Sequence, residues 1–193
     1  MGNRLDRVSK NISSFRRKYY LNLFVRGTLL TATLLLAYFL LASLIEYNLW
    51  LGKEVRMTLF ALFFLTAAYC IYRYLRNPIL WWLSGKGIGQ EESARIIGDH
   101  LPAIQDRLVK FLQLASVSQN RGVLLEASLE QKASLFDRFA FESIVNLGEN
   151  RRYLKYLAIP FVAFALIVVV NREIITQSTE RIVNFDKEYS PQA

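Results

Sequence analysis

Six residues, SGKGIG at 84–89, carry the strongest hint of chemistry in this chain. Three glycines and a lysine just ahead of a helix start suit a phosphate cradle: the glycines let backbone amides approach and the lysine supplies charge. The spacing argues against it. The P-loop pattern G-x-x-x-x-G-K-[ST] needs a hydroxyl residue directly after the lysine, whereas Gly87 follows Lys86. The spacing G-x-G-x-x-G is also missing, and no strand pattern leads into the stretch. The other reading is a flexible exit from an apolar helix. There Pro78 ends the helix, Trp81 and Trp82 rest at headgroup level, and the glycines let the chain turn.

Asp99–His100 is the one acid/base-like pair. Neighbours on a helix point about 100° apart and do not face each other. The pair also precedes a break at Pro102, so a capping aspartate beside a surface histidine is expected. Asp106–Arg107 and Asp137–Arg138 read as solvated or bridging charges. With one cysteine (Cys70) and one histidine (His100), the chain has no intramolecular disulfide and no cluster from which to build a zinc or transition-metal site. A nucleophile–histidine pair would depend on His100 alone. No catalytic, cofactor-binding or metal-ligating residue is therefore assigned, no cofactor is expected, and the chain is not expected to be an enzyme.

The elements around these residues are apolar. Gly27–Ile45 has no charged residue, and about 20 such residues cross a hydrocarbon core, which predicts a transmembrane helix over 26–48. Met57–Tyr72 lies between Arg56 and Arg73; snorkelling basic side chains extend it to 53–76. Tyr156–Asn171, with Pro160 near its start, predicts a third span over 153–175. The first run is expected to be a retained anchor, because its basic leader is long and no A-x-A-like site follows it.

Charge sets an orientation. Residues 1–26 carry seven Lys/Arg against Asp6, 46–56 carry two charges of each sign, 73–155 carry twelve Lys/Arg against nine acids, and the tail from 172 carries three against four. The positive-inside rule then puts the N-terminus and 73–155 in the cytoplasm, and 46–56 and the tail outside. The net charge of +8 is accounted for by this asymmetry, and no nucleic-acid partner is expected. The spans hold no charged side chain between their bounding residues, which argues against an ion or proton path through this chain alone.

Helical periodicity organises the insert, residues 77–152. Ile97, Leu101, Ile104, Leu108, Phe111 and Ala115 form one stripe, interrupted at Pro102, predicting helices over 91–99 and 103–118. SQNRG at 118–122 is a turn, and Leu125, Leu129, Ala133, Phe136, Ala140, Ile144 and Leu147 predict one long helix over 122–147. The two stripes would bury each other in a helical hairpin. The arm, residues 1–25, has its own stripe: Leu5, Val8, Ile12, Phe15 and Tyr19. It either lies on anionic lipid or packs against the hairpin. The fold expected is an all-α membrane protein with three transmembrane helices and a cytoplasmic helical hairpin between the second and third. Residues 176–193 form an extracytoplasmic tail, the start of a larger domain if the chain continues.

GDHLPAIQDRLVKFLQLA (98–115), LLEASLEQKASLFDRFAFESIV (124–145) and NRRYLKYLAIP (150–160) resemble the N-terminal region of a family of large inner-membrane proteins of Bacteroidota-like bacteria, catalogued as a domain of unknown function. The resemblance covers about 70–193 and implies a bacterial inner-membrane location, N-terminus cytoplasmic and C-terminus periplasmic. It carries over no functional residue. The function expected is a non-enzymatic anchor or scaffold within an envelope complex, with other membrane proteins and anionic lipid at the arm as partners. The alternatives are an accessory subunit of a transporter or secretion motor, or a nucleotide-binding enzyme using the 84–89 loop.

Overall fold

A computed structural model describes residues 3–85, 87–118, 129–136, 139–187 and 189. Among them the chain is all helical and has no strand. It divides into two compact units, one of residues 1–22 and 77–147 and the other of 23–76 and 148–193. Three helices are long and apolar enough to cross a membrane: Asp6–Leu49, Lys53–Ser84 and Phe141–Asn171.

Helix α1 runs without a break from Asn3 to Leu49. The arm and the first apolar run, expected as separate elements, are therefore one helix that contributes to both units. No proline interrupts it, and its internal glycine, Gly27, is buried.

In the first unit the arm packs against the insert. Val8, Ile12 and Phe15 share a buried core with Ala94 and Ile97 of α4 (Gln90–His100), with Leu108, Phe111 and Leu112 of α5 (Gln105–Ser118), and with Leu129, Ala133, Phe136, Phe141 and Val145. Of the two readings of the arm's stripe, this one is observed for its described side chains. Leu101 (φ −130°, ψ 72°) leaves the helical region that a following proline disfavours, ending α4, and Pro102–Ile104 makes a 3-10 turn into α5. Gly98 permits the reversal, because a Cβ there would fall 2.3 Å from Gln105 Cγ.

The long helix expected over 122–147 is not continuous. Its first residues, the SQNRG turn's last four and Asp137–Arg138 lie outside the described residues. Helix at 129–133 gives way to tight bonds, Phe136 N–H to the Ala133 carbonyl at 3.0 Å and Phe139 N–H to the Phe136 carbonyl at 3.1 Å. Short 3-10 turns follow at Phe141–Ile144 and Leu147–Asn150. The physical reason is register. Phe136 and Phe141 are both fully buried, yet on a straight helix residues five apart point about 140° from each other. The break moves the buried stripe by one position, from Ala140 and Ile144 to Phe141 and Val145.

The second unit holds the apolar part of α1, then α2 (Lys53–Cys70), α6 (Arg151–Asn171) and α7 (Glu173–Val183). A π turn, Ile71–Leu75, leads from α2 into α3 (Arg76–Ser84). Pro78 thus does not end the second helix; it sits buried within α3. A proline cannot bond the carbonyl four residues back, and the wider π turn upstream relaxes that stretch of helix. The third helix ends at Asn171, short of the expected 175, and Asn171 Oδ1 accepts the Glu173 N–H at 3.0 Å where α7 begins.

α1 and α2 approach closely. A Cβ on Gly27 would stand 2.8 Å from the Tyr74 carbonyl oxygen, so only glycine permits the contact. Tyr38 donates its hydroxyl proton to the Leu59 carbonyl at 2.8 Å. Arg26 lies 4.9 Å from the Tyr153 ring centroid, and Asn171 Nδ2 donates to the Tyr47 hydroxyl at 3.3 Å, so α1 and α6 run parallel. The remaining faces are apolar and uncovered: Val169 and Val170 of α6, and Leu65 and Tyr69 of α2, are more than 60% exposed.

Candidate functional site

The second unit carries a buried polar cluster where α1 turns into α2. Glu46 and Arg56 are the residues that bound the first two apolar runs. Helix rise brings them together, since each lies a short way from the turn Trp50–Gly52 that joins two antiparallel helices. Arg56 Nε donates to Glu46 Oε1 at 2.9 Å, with both side chains at most 3% exposed. Arg56 Nη1 reaches the Lys187 carbonyl at 3.5 Å, and its guanidinium lies 5.1 Å from the Tyr189 ring centroid. α7 closes over this pair. Ser178 donates to the Ser43 carbonyl at 2.9 Å, and Arg181 stacks 3.6 Å from the Trp50 ring centroid while donating to Gln177 Oε1 at 3.0 Å.

Trp50 has φ +47°, a left-handed backbone that a bulky residue seldom adopts. The Arg181 stack holds its ring in that geometry. Five buried polar atoms here lack a hydrogen-bond partner: Ser43 Oγ, Glu46 Oε2, Thr179 Oγ1, Arg181 Nη1 and Tyr189 Oη. Chemically the cluster locks helices together. It joins one carboxylate and two guanidinium groups and offers no nucleophile paired with a base.

Sequence reasoning used Glu46 and Arg56 only as span boundaries and Trp50 only as an aromatic-belt residue at the outer boundary, and it assigned no role to Arg181 or Tyr189. The available signal was the pair of opposite charges flanking a short turn, which an antiparallel hairpin must bring face to face.

The glycine stretch lies in the first unit. Gly85 has φ +62°, which favours glycine. Gly87 lies beneath Trp81 and Tyr20, where a Cβ would fall 2.4 Å from Trp81 Cδ1 and 2.6 Å from the Tyr20 hydroxyl. The Ile88 N–H donates to that hydroxyl at 2.8 Å, and Arg16 Nη1 donates to the Ile88 carbonyl at 3.3 Å. Tyr20 and Trp81 stack with centroids 4.7 Å apart and planes 10° apart. One amide that a phosphate cradle would need is therefore already used inside the fold. Lys86 lies outside the described residues. Burial raises the pKa of the neighbouring Tyr19 phenol above its ordinary value, and Tyr20 and Glu92 add to the rise.

Asp99 and His100 are both exposed, with His100 Nδ1 3.0 Å from the Ile96 carbonyl oxygen on its own helix. Asp106 and Arg107 are also exposed. These residues are not brought together into a site.

No protein family, curated protein or solved structure matches this chain.

Proposed function

We propose that the protein is a non-enzymatic anchor of the bacterial inner membrane, holding a cytoplasmic helical module on one side and an extracytoplasmic segment on the other within an envelope complex. The observation that carries this reading is the double use of α1. Its first turns supply Val8, Ile12 and Phe15 to the module's core, and its later turns form the first apolar span. A helix shared in this way fastens the module to the membrane without a linker. The charge asymmetry along the chain supports the module's cytoplasmic side. The buried Glu46–Arg56 pair under α7 supports a fastened opposite end. The large uncovered apolar faces of α2 and α6 suit lipid and partner helices.

Purification in mild detergent followed by native mass spectrometry tests the reading. The expected result is co-purification with other membrane proteins in fixed ratio. Recovery of the bare monomer, or recovery from a detergent-free soluble fraction, would count against it.

A further inference from the structure

We propose that the groove between α1 and α3 in the first unit binds the headgroup of one anionic phospholipid. The groove is about 680 Å³ and is lined by Arg16, Arg17, Leu21, Trp81, Trp82 and Gly85. Two guanidinium groups stand on one wall and two indoles on the other, and among the described residues no carboxylate lines it. Among the described residues neither arginine is ion-paired. Arg16 Nη1 is tied to the Ile88 carbonyl, which fixes the side chain, while its Nε is buried without a hydrogen-bond partner. Arg17 is exposed. The stack of Tyr20 on Trp81 holds the opposite wall in place. Two arginines lining one groove, the first held by the Ile88 carbonyl, are a phosphate-recognising arrangement.

The tryptophans occupy the position of an interfacial belt. Leu83 and Trp82, 80% and 65% exposed, give acyl chains an apolar surface beside the arginines. A free phosphate would use the arginines and leave these residues in water; a phospholipid covers both. This inference rests on the membrane-anchor reading and names the lipid chemistry at its cytoplasmic face.

The test uses the full chain in neutral detergent, equilibrated with equal amounts of phosphatidylglycerol and phosphatidylcholine and read by native mass spectrometry. Wild type is expected to retain phosphatidylglycerol preferentially. Arg17→Gln is expected to lower the ratio of the two lipids about fivefold, and Arg16→Gln/Arg17→Gln to bring it to about one. Arg172→Gln, at the far end of α6, should leave the ratio unchanged. Arg17 is exposed and has no ion pair among the described residues, so its variant reports on the site even if loss of Arg16 disturbs the loop; circular dichroism confirms helicity. Excess inorganic phosphate should leave the lipid bound. Displacement by phosphate would make this a free-anion site and overturn the lipid assignment. A wild-type ratio of about one, or a ratio indifferent to both variants, would overturn the site while leaving the anchor standing. Retention of neither lipid by a chain that stays soluble without detergent would overturn both.

Discussion

Glu46 and Arg56 form an ion pair of 2.9 Å with almost no exposed surface, on two helices that meet at a three-residue turn. Buried in this way neither charge is tolerable alone, so each depends on the other. The bond pins the register of α1 against α2, and the segment after α7 reaches Arg56 through the Lys187 carbonyl and the Tyr189 ring.

Removing one partner should cost more than removing both. Glu46→Leu or Arg56→Leu strands a buried charge, at about 3–5 kcal/mol, whereas the double leucine variant should recover much of the loss. Thermal unfolding in detergent measures this, and single variants as stable as wild type would refute the buried pair.

Gly27→Ala should loosen the hairpin. Its methyl would meet the Tyr74 carbonyl oxygen, which belongs to backbone and cannot swing aside. Overpacking of this kind costs about 1–3 kcal/mol. A melting temperature equal to that of wild type would show that the helices do not cross there.

Phe15→Ala should act on the insert although it lies on the arm. Phe15 is fully buried among residues of α4 and α5, and deleting a buried phenyl group costs about 3–5 kcal/mol. Hydrogen exchange should quicken across 90–118 while 27–45 stays protected. If only the arm itself exchanges faster, the shared core is wrong.

Thr179→Val should be neutral or stabilising. The Thr179 hydroxyl oxygen is buried without a partner and lines an apolar groove with Phe39, Phe60 and Ile182. Replacing it with a methyl removes an unmet desolvation cost of about 1–3 kcal/mol. A clear fall in stability would mean that the hydroxyl has a partner, such as an ordered water.

The proposed orientation has its own test. In a Cys70→Ser background, Asn48→Cys should react with an impermeant maleimide added to intact spheroplasts, and Gln131→Cys should react only after lysis. The opposite pattern would invert the topology.

Much of the architecture was legible in the residues themselves. The lengths of three uncharged runs reported the long helices, because hydrocarbon thickness and helix rise are fixed quantities. Periodicity found α4, α5 and the apolar stripe of the arm, and Pro102 marked the break between α4 and α5, because these signals are local. Periodicity could not tell whether the arm's stripe faces lipid or protein; that depended on Ala94, Ile97 and Leu108 arriving from far along the chain. It also overextended the last insert helix, since the burial of Phe141 in place of Ala140 is decided by the shape of the core. Pro78 misled for a related reason: a π turn just upstream accommodates a proline that would otherwise stop a helix. The polar cluster was decided by tertiary structure alone. Glu46 and Arg56 read as ordinary boundary charges, and Arg181 as one more charge of the tail, until antiparallel packing and the return of α7 bury them, and only then do their contacts hold the fold.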